Sequence, residues 1–249
     1  MRRSSLVVLA IALFVASAAA AGTPFGGDDA GFVPPSQPAL VCSSKVTTGI
    51  AKLRDGITRC HIQLAKARLI RRDTTADDEG CEEKAKGKFA RAVAKAFHPG
   101  GCPPCVVAAT AGLGDAIETE LDASNVRIYC NGLHPFGGDD TGSTPLNGLY
   151  FDGQRRAARN VAKLGICITK CHGRMATVAF GGGSFDEEAC EAFCLRRYDA
   201  ERDLIVPASP DCLQRAQQDQ LAADTEAQLD QELGTYYCAS PSGAFLDAR

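Results

Sequence analysis

The chain repeats itself, which limits its folds more than any other feature: what forms in one half must be able to form in the other. The stretch PFGGDDAG at 24–31 returns as PFGGDDTG at 135–142, and GITRCH at 56–61 returns as CITKCH at 167–172. LDASNVRIYC, ending at Cys130, matches LDQELGTYYC, ending at Cys238. The spacing stays within 107–111 residues, so two units of about 110 residues follow one another with a boundary near His134. The expected organisation is a leader at 1–21, a first unit at 22–133 and a second at 134–249.

Each unit reads as three helices. Val161, Leu164, Ile168, Cys171, Met175 and Val178 step by three and four residues, the spacing of one helical face. Ile50, Leu53, Ile57, Cys60, Leu64 and Ala67 repeat that stripe in the first unit. Gly181-Gly182-Gly183 ends the helix. Ser184 and Glu187 suggest a capping box for the next one, with a counterpart near Thr75 and Asp78. Ser209-Pro210 opens a third helix that stops at Gly234. No run of alternating β-branched residues calls for a sheet, so the expected fold is all-α: a tandem duplication of a disulfide-stapled three-helix unit.

Twelve cysteines, an even number and all beyond residue 21, supply the staples. Cys167 and Cys171 lie four apart on one helix, and Cys190 and Cys194 lie four apart on the next. Pairs 167–194 and 171–190 share a centre at the glycine turn, so a hairpin brings them together as two rungs. Within 167–194 the spacing resembles the C-x-x-x-C…C-x-x-x-C hairpin of the plant α-hairpinins, small defence and inhibitor peptides. The first unit keeps one rung, Cys60–Cys81. Elimination leaves Cys42–Cys102, Cys105–Cys130 and Cys212–Cys238. The last is awkward, because a helix from Cys212 to Leu233 is about 30 Å long and five further residues reach back only about 17 Å. Either that helix is shorter or bent, or Cys238 pairs elsewhere, for example with Cys190.

Arg2-Arg3, the apolar run Leu6–Val15 and the Ala19-Ala20-Ala21 site read as a secretory signal, which places the chain outside the cell or in a periplasm. An even cysteine count agrees with an oxidising compartment. A formal charge of −3 lacks the basic excess of a nucleic-acid binder, and no later apolar run is long enough to cross a membrane. A partner, on this reading, is a protein or a cell-surface ligand.

Few residues suggest chemistry. G-x-S-x-G, H-E-x-x-H and P-loop patterns are absent, so no enzyme is expected. Asp28, Asp29, Asp139 and Asp140 place paired carboxylates in glycine-rich turns, a candidate calcium site beside the plainer reading of solvated turns. Cys167, Cys171 and His172 approach a c-type haem motif with one residue too many between the thiols. The alternative to haem is a pair of helix-surface histidines, His61 and His172, beside a disulfide. Cys102-Pro103-Pro104-Cys105 has the spacing of a redox dithiol or, with His98, of a zinc site. The acid clusters Asp77-Asp78-Glu79 and Asp186-Glu187-Glu188 suit helix starts. The expectation is a secreted, non-enzymatic binding or structural module. A haem-bearing electron carrier and a hydrolase inhibitor presenting Arg71 and Arg72 on the loop 71–78 are the alternatives.

Overall fold

A computed structural model describes residues 22–97 and 101–238; the expected leader and His98 lie outside the described residues. Two long helices, α1 (Gln37–Ile70) and α5 (Gly148–Phe180), pack against each other at the centre. Each folds back through a loop onto a shorter helix, α1 onto α2 (Glu79–Ala96) and α5 onto α6 (Glu187–Ile205). The first half then continues through α3 (Pro104–Ala109) and α4 (Leu113–Ser124), and the second ends with α7 (Arg215–Tyr236).

The helical stripes do the packing. Ile50, Leu53, Ile57, Cys60 and Leu64 are buried along α1, as are Leu164, Ile168, Cys171 and Met175 along α5. The caps differ in part from expectation. Ser36 and Asn147 cap α1 and α5 by accepting from the amides of Ala39 and Tyr150. Asp186, rather than Ser184, caps α6 by accepting from Ala189. Helix α7 begins at Arg215, because residues 206–213 form 3-10 turns after Ile205.

The fold is mostly helical, yet it contains strands that hydrophobic alternation does not reveal. The chain pairs β1 (Pro24–Gly26) with β2 (Asp29–Phe32), and β3 (Gly132–Gly137) with β4 (Asp140–Pro145). Gly27 and Gly138, at φ of 66° and 68°, take the first place of two-residue hairpin turns. These hairpins are rich in glycine and aspartate, which is why strand propensity misses them.

Disulfides join Cys42–Cys102, Cys60–Cys81, Cys167–Cys194 and Cys171–Cys190. The expected Cys105–Cys130 and Cys212–Cys238 are replaced by Cys105–Cys238 and Cys130–Cys212, which tie the two halves together. The cause is the length of α7: 22 residues carry Cys238 far from Cys212 and set it beside α3.

The crossed pairing is directly testable. A protease site inserted after the exposed Leu146, between β4 and α5, divides the chain into its halves. After cleavage the fragments should run as one species on a non-reducing gel and separate only when reduced. Separation without reductant would show bridges closed within each half.

Candidate metal centres

The rung disulfides place the first two side chains of each site. His61 follows Cys60 and Glu82 follows Cys81, so the Cys60–Cys81 bond, with Cα atoms 5.6 Å apart, draws imidazole and carboxylate together across α1 and α2. Cys171–Cys190, at 5.8 Å, does the same for His172 and Glu191 across α5 and α6. Both histidines are core residues, 4% and 3% exposed, and not the surface pair expected from the sequence.

Three more carboxylates close on each ring. Around His172 Nε2 lie Glu191 Oε1 at 3.0 Å, Asp230 Oδ1 at 3.3 Å, Asp29 Oδ1 at 3.4 Å and Glu187 Oε1 at 3.6 Å. All five of these atoms are buried, and none makes a hydrogen bond within the protein: the oxygens surround the nitrogen without lying on its N–H direction. Around His61 Nε2 lie Asp122 Oδ1 at 3.0 Å, Glu82 Oε1 at 3.1 Å and Asp140 Oδ1 at 3.3 Å, with Asp78 beside them. Here Asp122 does pair with the ring, while Glu82 Oε1, Asp78 Oδ2 and Asp122 Oδ2 are buried without partners.

Asp29 and Asp140 come from the hairpins: β2 sends Asp29 to the histidine of α5, and β4 sends Asp140 to the histidine of α1. Gly31 and Gly142, at φ of 105° and 100°, let the returning strands lie flat on the last helical turns. A Cβ there would stand 3.2 Å from the carbonyl oxygen of Tyr237 or Tyr129. The Phe32 amide donates to Tyr237 O and the Ser143 amide to Tyr129 O, both at 2.8 Å. Phe25 meets Tyr237, and Phe136 meets Tyr129, edge to face. The hairpin at 24–32 is thereby docked on the C-terminal end of α7.

Neither centre is balanced in charge, since four carboxylates face one imidazole. Burial opposes charging His61 and His172, but the surrounding carboxylates outweigh it and hold both rings up at about 10. Burial, with crowding by neighbouring acids, pushes Asp29 up to about 7, Asp140 to about 8 and Glu187 to about 9. Like charges this close in a buried space are costly without a cation between them.

In each centre the donors fall into two triads that share the imidazole, His172 with Asp29 and Glu187 and with Glu191 and Asp230, and His61 with Asp122 and Asp140 and with Asp78 and Glu82, the atoms of each triad lying within 4.8 Å of one another. Donors bonded to a common ion at about 2.1 Å stand about 3.0 Å apart in an octahedron and about 3.4 Å apart in a tetrahedron. A cavity of about 150 Å³ between α1, α4, α5 and α7 reaches the ring of His61.

Of the four turn aspartates, Asp29 and Asp140 enter the centres, while Asp28 and Asp139 stand just outside against Glu188 and Glu79. Cys167 and Cys171 are both disulfide-bonded, which removes the thiols that haem attachment requires. Cys102 and Cys105 are bonded to different partners, so they form no dithiol. Arg71 and Arg72 lie exposed between α1 and α2. Asp78, Glu82, Asp122, Glu187, Glu191 and Asp230 were missed as site residues, Asp78 and Glu187 because acids at helix starts have a structural explanation. The signal was present: His follows the shared Cys on the first helix, Glu follows it on the second, and Asp stands eight residues before the last.

Crowding predicts an unusual mutational response. In the presence of a chelator and above pH 9, where Glu187 is charged, Glu187→Gln relieves repulsion inside the second centre and should raise the thermal midpoint. A lowered midpoint would make Glu187 an ordinary stabilising residue of the first turn of α6.

Compared with known proteins, the chain matches no family model, no curated protein and no solved structure.

Proposed function

We propose that this chain is an exported, non-enzymatic binding module, made of two copies of one disulfide-stapled helical unit, whose ligand is a divalent metal ion held at two equivalent centres. The observation that carries this reading is the set of five converging, unpartnered atoms on His172, Asp29, Glu187, Glu191 and Asp230. A matching set surrounds His61: His61, Asp78, Glu82 and Asp122 stand 108–111 residues before His172, Glu187, Glu191 and Asp230, with Asp78 in place of a glutamate, and Asp140 stands 111 residues after Asp29. Six disulfides, and the lack among the described residues of a helix able to cross a membrane, are compatible with an oxidising compartment.

The donor set selects the ion. No cysteine is free, so thiolate-seeking ions have no ligand among these residues. An imidazole at the centre argues against calcium, which takes oxygen ligands, and the carboxylate majority favours the harder first-row ions such as Mn²⁺ or Fe²⁺. Asp29 and Asp140 keep the ligand role first considered for the turns, with a different metal. His61 and His172 each supply one nitrogen, and the carboxylates supply both oxygen donors and compensating charge. The covalent rungs stop the empty shell from spreading, so the centres are formed before the ion arrives.

Binding should stabilise the fold. At a free Mn²⁺ concentration of 100 times Kd, each centre contributes about 2.7 kcal/mol, or about 5–10 °C in a chain of this size. Isothermal titration should find tight Mn²⁺ binding in the oxidised protein. His172→Ala and His61→Ala should each remove one imidazole-bound ion and the double variant both. An unchanged thermal midpoint and no heat of binding in the wild type would refute the reading.

A further inference from the structure

The cavity of about 150 Å³ between α1, α4, α5 and α7 is lined by corresponding residues of both copies: Ile50 with Val161, Ala51 with Ala162, and Leu121 with Leu229. One pair breaks the match. Arg54 of α1 reaches Glu120 and Glu232, whereas the corresponding position of α5, 111 residues on, is Gly165. A Cβ at Gly165 would stand 3.7 Å from Leu229 and 3.8 Å from Thr225, ordinary contact distances. The missing side chain therefore leaves open space and does not serve a close approach of helices. The hollow meets solvent at Arg127 and Asp224, two lining residues that are 40% and 44% exposed and pair with each other.

Most polar groups of the lining are already committed. The hydroxyls of Thr58, Thr169 and Thr225 donate to the carbonyls of Arg54, Gly165 and Leu221. Both arginines are matched by carboxylates, Arg54 by Glu120 and Glu232, and Arg127 by Asp224. A buried water needs about two to four polar partners, few of which are free here, and an apolar cavity of about this volume takes up benzene. Two buried donors on lining residues remain without partners, Arg54 Nε and Tyr129 Oη. Arg54 can only donate, so the group that is missing is an acceptor.

We propose that this cavity is a second binding site, for a small neutral molecule of about the size of a substituted benzene that carries one acceptor oxygen. Its apolar body fills the space left by Gly165, and its oxygen accepts from Arg54 Nε. Neutrality follows from the matched charges: an anion finds no free cation on the lining, and a cation would have to take Glu120 or Asp224 from an arginine. The inference does not rest on the metal-binding reading, since His61 alone among the lining residues belongs to a centre.

Acetophenone is the probe, with ethylbenzene as its counterpart lacking the oxygen and benzoate as its charged counterpart; saturation-transfer NMR reads binding to the full oxidised chain. Acetophenone should bind about fivefold more tightly than ethylbenzene, the gain of one hydrogen bond, and benzoate should not bind. Gly165→Leu and Ala162→Phe, which build side chains into the hollow, should each abolish binding and leave the circular dichroism unchanged. Binding that survives in either folded variant would place the molecules elsewhere and overturn the site. No binding of acetophenone or ethylbenzene to the wild type would overturn it as well, and tighter binding of benzoate would overturn the neutral ligand. Equal affinity for acetophenone and ethylbenzene would overturn the role of Arg54 Nε. None of these outcomes bears on Mn²⁺ binding, which has its own readout.

Discussion

Four carboxyls gathered around one imidazole, away from water, are costly to keep charged together, so the surrounding structure must hold them in place. The disulfide rungs do this at close range. Cys60–Cys81 and Cys171–Cys190 each join the residue before a histidine to the residue before a glutamate, and so fix the distance between two of the five donors. The remaining donors are less directly tied: one at the start of a short helix, one near the end of a later helix, and one on a hairpin clamped by tyrosine. An ion at the centre turns the repulsion among them into attraction, which connects the covalent framework to the proposed ligand.

Much of the helical architecture was legible from periodicity, because burial of one face leaves a repeating apolar mark. The stripes on α1 and α5 are of that kind, and so are the hairpin rungs, whose symmetry about the glycine turn is visible in the numbering. The hairpins at 24–32 and 132–145 left no such mark, since glycine conformations and a tyrosine underneath them, rather than alternating side chains, hold them in place. The crossed bridges were hidden because helix length fixes them, and α7 opens at Arg215 and not at the expected capping serine.

The site was only half legible, for a different reason. Asp29 and Asp140 drew notice because they lie in the best-matched segment, but their partners are scattered over three further elements of each centre. Asp78 and Glu187 sit where a helix dipole already accounts for an acid, and His61 and His172 sit where a disulfide already accounts for the motif. Each feature had a satisfactory local explanation. Only their common position, on four elements of each centre, brings them together, and pairwise spacing does not reveal that convergence.

The N-terminal hairpin also sets an order of events. The five donors of the first centre all lie between residues 61 and 140, so they can be gathered while the rest of the chain is still being made or exported. The second half needs Asp29 from the beginning of the chain and Asp230 from near its end. The hairpin must therefore wait for a helix synthesised about 200 residues after it. Assembly is thus staggered: the first centre can close early, whereas the hairpin at 24–32 finds its docking place only once α7 has been made.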